Sequence, residues 1–187
     1  TPGWGRTASN AFSNPRQLDV GINSSGTHNA NSPCSFANMS GIWATRNIRS
    51  RIYGNAIANI TGGWGVRLIN SGQSLVEKNR ITFHASNPAY VYGIWSVGTP
   101  MFTNLDFIDN TIINNQSTVQ SGSIGIVAFS WLFPWNNWPR VKSTGNNISS
   151  FASGIIYDHT GSGFTGSSIE DNTIGLTSQY YFGIYAG

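Results

Sequence analysis

The chain has 187 residues, of which 39% are hydrophobic, 13% aromatic and only 9% charged, and its formal net charge is +3. This length fits one domain, and the apolar and aromatic content argues against intrinsic disorder. The few basic residues do not form the dense positive face that nucleic-acid binding requires, and we expect no nucleic-acid partner. No apolar run is long enough for a membrane-spanning helix, and we expect no membrane insertion.

The metal-ligating and redox-active residue types are sparse. Cys34 is the single cysteine, which excludes a disulfide within the chain, and its context predicts a small buried residue rather than a nucleophile. The histidines are scattered, and the acidic residues form no cluster of the kind that binds calcium. We therefore expect neither a metal site nor a cofactor.

Residues 1–37 contain no repeat and are rich in Gly, Asn, Ser and Pro. This composition predicts an irregular N-terminal cap, or an extension that lies over the first repeats. From residue 38 to residue 187 the chain is repetitive, and we interpret that range as the main body of the fold.

The repeat consists of an Asn-x-Ile motif followed by a Gly-Ile or Gly-Val step. The five copies of the motif are Asn55-Ala-Ile57, Asn79-Arg-Ile81, Asn110-Thr-Ile112, Asn146-Asn-Ile148 and Asn172-Thr-Ile174. The glycines are Gly65, Gly93, Gly125, Gly154 and Gly183, with an earlier one at Gly41, and they are 24 to 32 residues apart. A repeat of this length predicts units that stack and bury their apolar faces against their neighbours.

The spacing within the motif predicts a corner at the asparagine. Four copies have an apolar residue three positions before the Asn, whereas the fourth copy has Ser143 there. Apolar residues at Asn−3 and Asn+2 would face opposite sides of one continuous strand, so one strand must end and another begin near the Asn. Asn tolerates left-handed backbone and can donate to the Asn of the next unit, which predicts an Asn ladder.

These motifs resemble those of the right-handed parallel β-helix family, which includes pectate lyases, polygalacturonases and phage tailspikes. The resemblance covers roughly residues 38–187 and implies an all-β solenoid of about six coils, with three short strands in each coil. It carries little information about activity, because such solenoids host enzymes, binding proteins and inert shafts.

One column of residues lies two positions after each repeat glycine, where alternation predicts an outward-facing side chain. The column comprises Trp43, Arg67, Trp95, Val127, Ile156 and Tyr185. Such a column suits a groove for a glycan, and Trp43, Arg67 and Trp95 are our candidate ligand-binding residues within it. The same pattern is also expected if the N-terminal segment or another subunit covers this column.

A second aromatic feature is the insertion from Ser130 to Pro139, which is followed by Arg140. Its tryptophans Trp131, Trp135 and Trp138, together with Arg140, predict a platform that stacks on sugar rings and bonds hydroxyl groups. Burial between subunits and packing against the chain's own repeats are the alternatives.

The candidate catalytic residues are Asp109 and Asp171, which both directly precede a repeat Asn. Two rungs of a solenoid separate them by about 9.6 Å, the upper edge of the carboxylate spacing in inverting glycosidases. An acidic residue at a turn is also common for structural reasons.

The resemblance, the missing calcium cluster and the amide-rich surface favour a tailspike-like protein that recognises, and in one version cleaves, a bacterial surface polysaccharide. Cleavage would be hydrolytic (endoglycosidase) rather than eliminative. The family implies a homotrimer located outside the cell or on a virion surface. The alternatives are a structural virion shaft or decoration module, and a secreted polysaccharide lyase or hydrolase. Since the chain has no initiator Met and ends directly after a repeat strand, we expect a fragment of a longer protein.

Overall fold

The structure is a computed structural model that describes residues 17–21, 41–45, 49–60, 62–71, 73–84, 90–98, 104–130, 140–159, 166–177 and 182–187. Within these residues the regular secondary structure is all β, and the strands belong to three sheets in which every neighbouring pair is parallel. The three sheets of stacked strands confirm the all-β repeat and are consistent with a parallel β-helix.

Sheet A contains the strands that precede the repeat asparagines, together with a strand from the N-terminal segment. Its strands, in spatial order, are β1 (Gln17–Gly21), β3 (Arg49–Tyr53), β6 (Ser74–Glu77), β9 (Asn104–Ile108), β12 (Arg140–Thr144) and β15 (Ser168–Glu170). β1 lies within residues 1–37 and pairs in parallel with β3, so part of the N-terminal segment extends this sheet.

Sheet B contains the strands that carry the Gly-Ile and Gly-Val steps. Its strands are β2 (Ile42–Thr45), β5 (Gly63–Ile69), β8 (Val91–Val97), β11 (Ile124–Ser130), β14 (Ser153–His159) and β17 (Ile184–Ala186). Sheet C contains the strands that follow the asparagines. Its strands are β4 (Ala56–Ile60), β7 (Arg80–Phe83), β10 (Thr111–Asn114), β13 (Asn147–Phe151) and β16 (Thr173–Leu176).

The repeat glycines are required because the isoleucine of the next Asn-x-Ile motif occupies the space beside them. A Cβ at any repeat glycine except the last, Gly183, would overlap Cγ2 of that isoleucine and crowd the carbonyl oxygen of the next repeat glycine. The contacting pairs are Gly41 and Ile57, Gly65 and Ile81, Gly93 and Ile112, Gly125 and Ile148, and Gly154 and Ile174. The two motifs therefore recur together because each of these five glycines contacts an isoleucine of sheet C.

The predicted Asn ladder is confirmed. Each side-chain Nδ2 donates to Oδ1 of the Asn in the following unit, and the backbone N–H donates to the same oxygen. The Nδ2–Oδ1 distances are 3.0 Å from Asn55 to Asn79, 3.0 Å from Asn79 to Asn110, 3.0 Å from Asn110 to Asn146, and 2.9 Å from Asn146 to Asn172. The ladder satisfies polar groups that would otherwise be orphaned in the interior.

The left-handed backbone that we expected at each asparagine lies one residue earlier. The φ angles are 64° at Gly54, 54° at Lys78, 53° at Asp109, 66° at Gly145 and 54° at Asp171. The residue before the Asn therefore turns the chain, while the Asn itself supplies hydrogen bonds. Its Nδ2 also donates to the carbonyl two residues back, as from Asn79 to Glu77 at 3.0 Å.

The core is a single cluster formed by the inward faces of the three sheets. Ser143, which interrupts the apolar column of sheet A, is compensated by a large residue in sheet B. Tyr157 is almost fully buried and occupies a column in which β2 and β11 have only Ala44 and Ala128. Its hydroxyl lies near the Ser143 side chain, and burial raises the pKa of this phenol far above its ordinary value.

We expect Asp109→Gly to raise the free energy of unfolding by about 0.5–1 kcal/mol, because glycine adopts the left-handed corner without the steric cost of a Cβ. Asp106→Gly is the matched control. Asp106 lies in β9 outside the left-handed region and pairs with Arg140, so glycine there should lower stability instead. Urea denaturation of the two variants measures both changes, and a loss of stability in Asp109→Gly would contradict the corner explanation.

Candidate functional site

An aromatic cluster lies on the outer face of sheet B. Trp43 of β2 is in register with Arg67 of β5, and Arg67 is in register with Trp95 of β8, as the column predicted. The Trp43 side chain is 53% exposed, whereas Arg67 and Trp95 are half-buried. The structure therefore brings three of the candidate ligand-binding residues together on one surface.

Two further aromatic residues, Trp64 and Tyr92, join this surface, and sequence reasoning missed them. Each directly precedes a repeat glycine, and the two are in register. Simple alternation would place Trp64 and Arg67 on opposite faces, but β5 has two successive buried residues, Gly65 and Val66. This double inward step returns the strand to the same outward face, and β8 repeats it.

The rings pack tightly with one another. The ring centroids of Trp64 and Trp95 are 5.4 Å apart, those of Trp64 and Tyr92 are 6.3 Å apart and nearly parallel, and those of Tyr92 and Trp95 are 6.4 Å apart. Such separations lie in the range of favourable aromatic pairs, which are worth about 0.5–1.5 kcal/mol each beyond area burial. We call the five residues Trp43, Trp64, Arg67, Tyr92 and Trp95 the aromatic cluster.

The Arg67 guanidinium is the cationic centre of the aromatic cluster. Its Cζ lies 4.0 Å from the ring centroid of Trp64, 4.7 Å from that of Trp43 and 4.8 Å from that of Trp95. The faces of these rings carry partial negative charge and attract the cation. Partial burial nevertheless lowers the pKa of Arg67 from its ordinary value. Burial, followed by the neighbouring Tyr90 phenol, raises the pKa of Tyr92.

Two buried nitrogens in this cluster have no hydrogen-bond partner among the described residues, namely Nε of Arg67 and Nε1 of Trp64. The cluster therefore combines a partly exposed aromatic surface with a cationic group, a combination typical of sites for polar ligands with apolar faces.

The outward column changes character beyond Trp95. Val127 is completely buried although it does not belong to the core cluster, Ile156 is half-buried, and Tyr185 is 39% exposed. The open aromatic surface is therefore centred on β2, β5 and β8 rather than on the full length of sheet B.

Of the other predicted ligand-binding residues, Arg140 alone lies within the part of the chain that the structure describes. Trp131, Trp135 and Trp138 lie outside the described residues. Arg140 begins β12 of sheet A, and its Nη2 lies 3.2 Å from Oδ1 of Asp106. An ion pair between partly exposed side chains accounts for Arg140 without a ligand.

Asp109 and Asp171 are exposed and occupy left-handed corners, with Gly145 at the corner between them. The hydrogen bonds from the Asp109 and Gly145 amides to Thr144 and Glu170 stack these corners in one column, as the motif predicted. Oδ1 of Asp109 lies against Gly145, where any Cβ would overlap it. The left-handed φ of 66° at Gly145 favours a glycine at the intervening corner, and the same corner geometry gives Asp109 a structural role.

The described residues contain no group of three or more His, Cys, Asp and Glu side chains arranged to hold a metal ion. The same part of the chain has no helix with the length and apolarity needed to cross a bilayer. Comparison with protein-family models, with curated proteins and with solved structures finds no match for the chain.

Proposed function

We propose that the chain is a right-handed β-helix of about six coils that recognises a bacterial surface polysaccharide through the aromatic cluster. The observation that carries this proposal is the tightly packed, partly exposed group of rings around Arg67 on the outer face of sheet B. The role would be that of a tailspike-like protein, located outside the cell or on a virion surface and assembled as a homotrimer.

The physical case for a sugar is the pairing of flat rings with donors. The C–H faces of a pyranose pack on indole, as at the half-exposed Trp43, while the ring hydroxyls need polar partners nearby. Arg67 supplies such donors beside the exposed ring. Neighbouring strands are about 4.8 Å apart, and the rings of Trp64 and Trp95 on adjacent strands have centroids 5.4 Å apart, so that one extended saccharide chain can contact rings from successive strands.

Recognition is better supported than cleavage. Asp109 and Asp171 lie at corners where backbone geometry already explains them, and the aromatic cluster lies on a different part of the fold from those corners. We therefore propose binding as the primary activity and keep hydrolysis at the two aspartates as a secondary proposal. The mass of the polysaccharide after incubation, measured by size-exclusion chromatography with light scattering, separates the two.

We expect Trp43→Ala to weaken polysaccharide binding by about tenfold or more, because the flat face of a sugar ring packs on indole much as a nucleic-acid base does, and such a stacked base contributes about 1–3 kcal/mol. The measurement is titration of tryptophan fluorescence, or calorimetry, with a panel of bacterial capsular and lipopolysaccharide glycans. Tyr53→Ala is the control, since Tyr53 also lies beneath an arginine but belongs to sheet A. Equal binding by Trp43→Ala and the parent protein would contradict the proposed site.

The competing function is a structural shaft in which the aromatic cluster is covered by another subunit. Exposed aromatic patches are enriched at such interfaces, and Trp43 is 53% exposed in the single chain. A trimer whose Trp43 fluorescence resists both aqueous quenchers and every glycan in the panel would favour the shaft over the binding protein.

A further inference from the structure

Arg67 differs from the other arginines whose side chains the structure describes. Arg51 lies over the Tyr53 ring at 4.7 Å and also has a carboxylate partner, Glu77, at 3.9 Å. Arg140 is paired with Asp106, and Arg80 is exposed to water. Arg67 is half-buried, and the described residues offer it aromatic rings but no carboxylate.

Arg67 has lost part of its hydration without gaining an anionic partner from the described part of the chain. Ring faces recover only part of the lost free energy, since a cation–π contact contributes about 0.5–2 kcal/mol. The guanidinium offers a planar fork of donors that suits a carboxylate, and charge-assisted bonds of this kind are about twice as strong as neutral ones. The missing partner in the aromatic cluster is therefore an anion.

Building on the proposed function, we infer that the recognised polysaccharide is acidic, and that Arg67 binds the carboxylate of a uronic-acid-type sugar whose ring packs against Trp43. The ring position and the cation are adjacent, with Cζ of Arg67 lying 4.7 Å from the Trp43 centroid. A carboxylate at C5 of a pyranose projects from the edge of the ring, so one sugar residue can use both groups at once.

The net charge is only +3, so the chain as a whole attracts polyanions weakly. A preference for acidic glycans would therefore come from the local contact at Arg67. Long-range steering depends on the summed field of many charges and disappears with added salt, whereas a partly desolvated pair at one arginine is screened much less. Binding should therefore discriminate carboxylated from neutral glycans even at physiological ionic strength.

The test compares each acidic polysaccharide that binds with the same polymer after chemical reduction of its carboxylates to neutral primary alcohols. For the parent protein we expect carboxyl reduction to weaken binding by tenfold or more at physiological ionic strength. This comparison changes only the glycan, so it remains valid even if a variant fails to fold.

The protein side of the test uses Arg67→Gln, Arg67→Lys and the control Arg51→Gln. Arg67→Gln should weaken binding of the acidic polymer by tenfold or more, and it should weaken binding of the reduced polymer much less, because the reduced polymer loses only hydrogen bonds between Arg67 and its hydroxyl groups. Arg67→Lys keeps the positive charge but lacks the planar fork of donors, so its affinity for the acidic polymer should lie between those of the parent protein and Arg67→Gln. Arg51→Gln should bind the acidic polymer as tightly as the parent protein does.

Three results would overturn the inference in distinguishable ways. Equal binding of acidic and reduced polymers by the parent protein removes the acidic specificity but leaves polysaccharide recognition intact. The same loss in Arg51→Gln as in Arg67→Gln assigns the effect to general charge. No binding to acidic or neutral glycans by the parent protein removes the proposed function together with the inference.

Discussion

Replacing Gly125 with alanine should lower the free energy of unfolding by about 3 kcal/mol or more and is expected to be among the most damaging single changes in the chain. The new Cβ would overlap Cγ2 of Ile148 and lie 2.8 Å from the carbonyl oxygen of Gly154. Neither neighbour can retreat easily, because Ile148 is fully buried and the carbonyl belongs to the adjacent strand. Overpacking against backbone costs more than overpacking against a flexible side chain.

The chain contains its own control at the last copy of the repeat. A Cβ at Gly183 would meet nothing within 4 Å, because no later isoleucine packs beside it in the described residues. Gly183→Ala should therefore change stability by less than about 0.5 kcal/mol, as for an ordinary exposed site. The midpoints and slopes of urea denaturation compare the two variants. Similar losses at both positions would show that the glycine is needed for backbone freedom rather than for space.

Replacing Asn110 with alanine should cost roughly 2–4 kcal/mol, because it removes the fully buried middle of the ladder. The backbone N–H of Asn79 would lose its acceptor, which is Oδ1 of Asn110 at 3.0 Å. The carbonyl of Val76 would lose the donor that now lies 2.8 Å away. Unsatisfied groups in this interior cannot reach water, so their desolvation is not recovered.

Asn172→Ala tests whether burial, rather than the hydrogen bonds themselves, sets the size of this effect. Asn172 accepts from Asn146 and donates to Ser143, as an internal member of the ladder does, but its side chain is only half-buried. Water can replace its partners, and we expect a loss of roughly 1 kcal/mol. Thermal or urea unfolding measures both variants, and equal losses would mean that the ladder contributes per bond regardless of depth.

Periodicity made the fold predictable and left the local geometry open. The motif spacing indicated a stacked all-β repeat, an asparagine ladder and an outward column through Trp43, Arg67 and Trp95, and the structure confirms these features. The spacing did not identify which residue adopts the left-handed corner. Asn tolerates that conformation and was a more obvious candidate than Lys78 or Asp109, which adopt it in the structure.

The sequence predicted only part of the aromatic cluster, again because strict periodicity does not describe the local geometry. Trp64 and Tyr92 fall outside the column of residues two places after each glycine, and strict alternation assigns them to the wrong face. The signal that would have revealed them is an aromatic residue directly before a repeat glycine, combined with the recognition that Gly and the next residue both face inward. Compensation between Ser143 and Tyr157 was likewise invisible, since the two residues are brought together only by the packing of different strands.

The asparagine ladder also gives the solenoid a direction. In every junction from Asn55 to Asn172 the amide nitrogen belongs to the earlier unit and the accepting oxygen to the later one. The column is therefore a row of aligned amide dipoles, and bonds in such a row strengthen one another. If two copies of the protein met through the same end of the ladder, amide donors would face donors, or acceptors would face acceptors. If opposite ends met, the donors of one copy would face the acceptors of the other. End-to-end assembly along this axis is therefore expected to be head-to-tail.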